Sequence, residues 1–434
     1  MKEDTNPHPI SALEAGPDVH ADAESIASTP PSEHTLDAWL TVAGSFLVYF
    51  VCFGFMTGFG FFQDYYAKNQ LQAYPPSLVA LIGSLQLGLM YLVGPITGVL
   101  FDAYGPKRLY LGGATGAIIS CIGLSFAQEG RVWQHFLSQG LLFGLTVSFG
   151  TQTALAVTGQ HFRRNRALAM GVVAGGSSAG GVCFPIMFSR LVPRIGFAWS
   201  VRLAALLFLI CYTLAVFLTR ATSQGRGPLR SLRDILDFRG FKDPRYAVLA
   251  FAMVVGNLGL YVPYNFIEAF LRFYHPTASI GSYLLPLING SSFFGRIFGG
   301  LIADRIGGLN LLYPMTLVAG ILCLTMWLLA RSVAVIVAFA CLYGFCSGIF
   351  ISVVPSVVAR ISPDKHIGAR LGAFFSLGAI GVFTGTPIGG AFIQDGTETE
   401  FRNLIVFAGC TMTGAGLLMA AARVLCDRNL RTKW

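Results

Sequence analysis

From residue 39 onward, long apolar runs alternate with short polar breaks. Twelve runs lie at approximately 39–62, 76–100, 109–127, 133–158, 167–189, 197–219, 246–271, 281–303, 309–330, 333–358, 370–392 and 403–424. A helix of about 20 apolar residues crosses a hydrocarbon core of roughly 30 Å, and each run is long enough to do so. The pattern predicts an all-α membrane protein of twelve transmembrane helices. Residues 1–34 show no apolar periodicity and are rich in Pro, Ser, Ala, Asp and Glu. They read as a disordered tail. A cationic start and an early apolar core are both missing, so a cleaved signal peptide is not expected.

The runs fall into two sets of six. The divider is 220–245, which holds Gly225, Gly227, Pro228 and seven cations. A constant offset of 202 residues relates Gly54 to Gly256, Gly98 to Gly300, Asp102 to Asp304, Gly105 to Gly307 and Pro185 to Pro387. Five matches at one offset, each at the same place in its run or loop, indicate an internal duplication. Two parallel six-helix halves put a cavity between them near the bilayer midplane. The expected units are an acidic tail (1–38), a first bundle (39–219), a linker (220–245), a second bundle (246–424) and a short tail (425–434).

Composition agrees: 54% of the 434 residues are hydrophobic and 12% charged, against about 25% charged in soluble domains. An ordinary soluble enzyme, a disordered chain and a secreted disulfide scaffold are excluded. The net charge of +9 divides into −7 over residues 1–38 and +16 over the remainder. The positive part is spread among short loops. That is unlike a nucleic-acid surface, which clusters charge with exposed aromatics. With both termini placed in the cytosol, 21 cations fall inside and 8 outside, Arg296 excepted. Cytosolic loops carry the excess of Lys and Arg, so both ends are expected inside, at the cell membrane or an internal one. The nine cysteines are dispersed without metal-ligand spacing, and no metal or cofactor is expected. No Gly-x-Ser-x-Gly marks a strand-to-helix turn and no P-loop lysine follows a glycine-rich loop, so neither an enzyme nor an ATP-driven pump is indicated.

Two motifs carry more. After run 2 come Gly98, Asp102 and Gly105 with Lys107 and Arg108, echoed by Gly300, Asp304, Arg305 and Gly307. Gly98 would let a neighbouring helix approach closely. Asp102 places a carboxylate where it can meet cations or a helix N-terminus of the other half. Asp102, Lys107, Arg108, Asp304 and Arg305 are therefore the gating candidates. This motif is similar to the loop signature of the major facilitator superfamily. The second motif enters run 5: His161, Phe162, Arg163, Arg164, Asn165, Arg166, Leu168, Ala169, Gly171, Ala174, Gly175, Gly176, Ser177 and Gly180. It resembles the fifth-helix signature of the monocarboxylate porter family within that superfamily, with His161 and Asn165 as departures. Asp37, Ala38 and Trp39 keep part of that family's first-helix signature. Gly259, Tyr261, Pro263 and Tyr264 in run 7 are similar to fungal members. The glycines of run 5 are expected to pack on run 11, which has Gly372, Gly378, Gly381 and Gly385.

Arg296 stands in the middle of run 8. An intramembrane Arg costs about 2.5–3.5 kcal/mol to insert, so it needs a wet cavity or a partner. Snorkelling toward Asp304 is the plainer alternative. The resemblance implies that the eighth-helix Arg binds a substrate carboxylate, which its two-donor fork suits. Lactate-type members pair it with an Asp one turn earlier, where Ser292 stands, and have a Lys in the first helix, where 55–58 has none. These departures weigh against lactate and against simple proton–carboxylate symport. The substrate-binding candidates are Arg296, Asn289, Ser292, Thr57 and Tyr261.

The function expected is secondary transport by alternating access, with export of an acidic small molecule or secondary metabolite. The partners are that small organic anion, the lipid bilayer and a proton, with no nucleic acid. Proton-linked uptake of a monocarboxylate is the alternative, and a transport-inactive membrane sensor the alternative of another class.

Overall fold

The computed structural model describes residues 35–162, 165–220, 238–362, 367–429 and 432–434. The acidic tail up to residue 34, Arg163, Arg164 and most of the linker lie outside the described residues. Helices are the only regular structure among those described. Helix α1 spans Leu36–Gln70, α2 Pro76–Leu92 and Gly94–Tyr104, α3 Pro106–Ser125 and α4 Val132–His161. One stretch, Arg166–Leu218, turns at Gly196 (φ 80°, ψ 167°), giving α5 over 166–195 and α6 over 197–218. Then follow α7 Pro244–Tyr274, α8 Gly281–Ile306, α9 Gly308–Trp327, α10 Val333–Ile361, α11 Ile367–Ala391 and α12 Glu398–Cys426.

All twelve apolar runs are therefore helical. Among the described residues, eight helices are long and apolar enough to cross a membrane, nine when the bent halves of α2 count as one span. The count is lower than twelve for two reasons. Helices α5 and α6 are continuous, and α3 and α8 carry charge: Lys107 and Arg108 on one, Arg296, Asp304 and Arg305 on the other. Large apolar side chains such as Trp199, Phe217 and Leu329 lie exposed on the outside of the bundle, where a bilayer would cover them.

The duplication is visible in the backbone. Gly105 and Gly307 both have positive φ, 75° and 102°, and each begins the next helix. Only glycine enters such a turn without strain, which explains the last glycine of the repeated motif. Helix α1 breaks at Gly58 and α7 at Tyr261, ahead of Pro263. A proline lacks the amide hydrogen and clashes with the preceding turn. These two breaks lie within one residue of the 202 offset.

Across the two sets of six, α5 packs on α8 and α2 on α11. The offset relates α2 to α8 and α5 to α11, so these are equivalent contacts. Close packing depends on missing side chains. A Cβ on Gly180 would sit 2.1 Å from the Phe50 carbonyl oxygen of α1, and one on Gly300 2.5 Å from the Ala167 carbonyl oxygen of α5. Two expectations are corrected here. The glycines of α5 meet α1 and α8, not run 11; those of α11 meet α7 and α2, Gly381 against Val254 and Gly372 against Pro95. A Cβ on Gly98 would touch nothing within 4 Å, so only its repeat mate Gly300 marks a close approach.

Candidate functional site

Two corresponding helix breaks, at Gly58 and Tyr261, face the middle of the bundle. Each interrupts its helix at a single residue, and the helix continues beyond it; the Gly58 amide still donates to the Gly54 carbonyl at 3.1 Å. Thr57, beside the first break, donates to the Gly54 carbonyl at 3.1 Å. Tyr261, at the second, is 7% exposed; its hydroxyl makes no close hydrogen bond and has the Tyr91 side chain as its polar neighbour. Both line a small cavity of about 30 Å³ with Ser84, Phe59 and Thr386. A second cavity of about 30 Å³ lies among Tyr49, Phe53, Tyr91, Ala174 and Phe375. Tyr91 of α2 and Phe375 of α11 stack there with centroids 5.3 Å apart and planes 8° apart.

Arg296 of α8 is fully buried beside this second cavity. Its Nη1 donates to the Ala174 carbonyl at 2.7 Å and to the Ser177 hydroxyl. Its Nε donates to Ser292 Oγ at 3.3 Å, and the guanidinium carbon lies 6.0 Å from the centre of the Phe53 ring. Nη2 has no hydrogen-bond partner. No carboxylate pairs with Arg296 among the described residues; Tyr49, Tyr91, Tyr261 and Tyr264 are the ionisable groups close enough to act on its charge. Arg296 thus points into the bundle and does not snorkel toward Asp304.

Arg423 of α12 is the instructive contrast. It is equally buried, yet all three nitrogens are engaged: Nε with Asn310 Oδ1, Nη1 with the Asp427 carbonyl at 2.6 Å, and Nη2 with those of Asn429 and Thr432 at 2.9 Å each. The guanidinium of Arg423 ties the tail to its helix; that of Arg296 keeps one nitrogen without a partner.

The other candidates separate clearly. Asn289 is buried, donates to the Leu285 carbonyl at 3.1 Å and keeps Oδ1 unpartnered. A Cβ on Gly181 would approach both Asn289 Oδ1 and Thr57 Oγ1, so these two polar groups share one spot across α8 and α1. Asp304 accepts from the Leu168 amide at 2.9 Å and the Ala167 amide at 3.3 Å, in the first turn of α5. A carboxylate at a helix N-terminus is favourable, and this one joins the two sets of six. Lys107, Arg108 and Arg305 are exposed, and none forms an ion pair among the described residues. Arg108 lies over the Tyr104 ring at 6.0 Å. These three are therefore not drawn into the Asp304 contact, because their side chains leave the helix on its outer side. The side chain of Asp102 lies outside the described residues.

At the opposite end, Arg272 of α7 lies 3.6 Å from Asp64 of α1 and 2.6 Å from Glu268. Lys68 completes the group, 2.7 Å from Asp64. Contacts thus join the two sets at both ends, and the two small cavities described above lie between them. Sequence reading missed Ser177, quoted only as part of the run-5 motif, and Ser84, which no motif marks.

The model of one protein family, described as the Major Facilitator Superfamily, matches residues 42–341. The chain belongs to the Major Facilitator Superfamily. It is 34% identical over 411 residues, 94% of its length and 90% of the relative's, to the MFS transporter asaE of Aspergillus flavus. It is 33% identical to the agnestins efflux protein AgnL12 of Paecilomyces divaricatus, covering 100% of both chains. The fujikurins efflux protein of Gibberella fujikuroi is 33% identical over 99% of the chain and 90% of its own length. The fold resembles that of the human organic anion transporter MFSD10, with a TM-score of 0.66 at 17% identity over 92% of this chain and 100% of that one. A superfamily member of this kind is an integral membrane secondary transporter, and its relatives are transporters too.

Proposed function

We propose that this chain exports an acidic small molecule, of the secondary-metabolite class, across the plasma membrane, and that it belongs to the monocarboxylate porter branch of its superfamily. Both termini lie in the cytosol. The bundles 39–219 and 246–424 rock about the central site, joined by the linker 220–245. The observation that carries this reading is Arg296: a fully buried guanidinium with an unpartnered Nη2. Ser292 offers it a neutral oxygen and no compensating charge. A buried charge left unpaired is costly, and an anionic or enolic substrate removes the deficit while it is bound. Export is favoured over uptake by the relatives named as efflux proteins for fujikurins and agnestins. Asp304 on the α5 N-terminus closes the cytosolic side. Thr57, Asn289, Ser292 and Tyr261 line the path beside Arg296.

The test is flux in proteoliposomes loaded with labelled organic acids under an imposed pH gradient. Arg296→Gln is expected to lose at least about 30-fold in rate, since losing one side of a buried charge contact costs 2–5 kcal/mol. Equal flux through wild type and a folded Arg296→Gln protein would overturn the assignment.

A further inference from the structure

The cavity at the two helix breaks differs in chemistry from the one beside Arg296. Its lining holds no charged residue; Met56, Phe59, Leu87 and Val382 give it apolar walls. Two hydroxyls on that lining are buried and make no close hydrogen bond: Ser84 Oγ on α2, 4% exposed, and the Tyr261 hydroxyl on α7, 7% exposed, whose polar neighbour is the Tyr91 side chain of the second cavity. The polar neighbours on the same wall are already engaged. Asn265 donates to Thr386 Oγ1 at 3.4 Å, and the Tyr264 hydroxyl lies 3.0 Å from Ser347 Oγ. A hydroxyl buried without a hydrogen bond loses about 1–3 kcal/mol. Two such groups, one from each set of six helices, on one cavity form a built hydrogen-bonding site.

We propose that Ser84 and Tyr261 form a second, charge-free subsite that reads a neutral hydroxyl or carbonyl on the substrate. The cargo is then two-ended, with an acid held at Arg296 and an uncharged hydrogen-bonding group held across α2 and α7. The inference rests on the organic-acid reading above and extends it. It assigns selectivity among acids to Ser84 and Tyr261, since Arg296 sees only the charge that all of them share. A site built to hydrogen-bond a hydroxyl rejects the analogue lacking it, because its own buried groups are then left unpaired.

The test compares acids of equal charge that differ by one hydroxyl: cinnamate with para-hydroxycinnamate, and benzoate with para-hydroxybenzoate, to cover two lengths. Flux is measured in proteoliposomes for wild type, Tyr261→Phe and Ser84→Ala. Wild type is expected to move the hydroxylated member of at least one pair about 3- to 10-fold faster, the value of one net hydrogen bond. Tyr261→Phe, which keeps the ring and its packing, should bring that ratio close to one, and Ser84→Ala should lower it. Transport of both members at equal rates by wild type would overturn the second subsite and leave the organic-acid reading standing. A preference that survives in both variants would also overturn it. Failure of wild type to move any of the four acids would sink the organic-acid reading, and the inference with it. A monodisperse profile on size-exclusion chromatography establishes that each variant is folded.

Discussion

At the scale of single residues, two buried arginines show that burial by itself does not announce a function. Arg423 gives every nitrogen to an oxygen of the chain, whereas Arg296 leaves Nη2 without one. Their replacement should therefore act in opposite ways on stability. Arg423→Met strands several carbonyl oxygens and should destabilise by about 2–4 kcal/mol. Arg296→Met removes a buried charge that no carboxylate neutralises, so the desolvation cost it recovers offsets the three hydrogen bonds it gives up. Thermal melts of the purified variants check this: a clear fall for Arg423→Met, and no fall for Arg296→Met. The reverse order would remove the distinction drawn between the two. In the sequence Arg423 counts among the cytosolic cations and Arg296 stands apart inside run 8, but what satisfies Arg423 is not legible there, because its carbonyl partners come from Asp427, Asn429 and Thr432, after α12 has ended.

At the scale of helices, the glycines divide by what lies opposite them. Gly180 faces the Phe50 carbonyl of α1, and an added Cβ would stand at 2.1 Å from it. Backbone cannot swing aside as a side chain does, so Gly180→Ala should cost about 1–3 kcal/mol. Gly98 faces open space, so Gly98→Ala should be neutral or stabilise by up to about 1 kcal/mol through helix propensity. Melting temperatures of the two variants, measured side by side, decide the matter. Both positions belong to motifs that look equally glycine-dependent in the sequence. Which glycine is indispensable depends on the partner helix: α5 lies on α1 and α8 rather than on α11. A pattern of small residues states that something comes close, not what does.

At the scale of the whole molecule, the two sets of six are joined at both ends, by Asp304 on the α5 amides and by Asp64 with Arg272. The second contact is between half-exposed side chains. Such pairs contribute roughly 0–1 kcal/mol and weaken with salt. It therefore resists opening only slightly, as a transporter that must cycle requires. Arg272→Asp, which leaves Asp64 and Glu268 facing a further acid, should change the flux rate by no more than about fivefold. Exchanging the charges in Asp64→Arg with Arg272→Asp should recover most of that change. Both effects should shrink at high ionic strength. A single reversal that abolishes flux, with no recovery in the exchange, would show that this end is held by something other than the ion pair.

The one-dimensional pattern by itself determined the helical membrane class, the twelve runs and the duplication, because lipid demands long apolar helices and the repeat preserves the glycines and prolines of its turns. It also singled out Arg296, since an intramembrane charge is expensive wherever it stands. Only the tertiary structure decided what surrounds that charge. Ser177 and Ala174 reach it from more than a hundred residues away, and Ser84 of α2 and Tyr261 of α7 come to line one cavity. Contacts of that kind depend on helix rotation and crossing. Those are set by the sum of many small packing terms, which no local motif records.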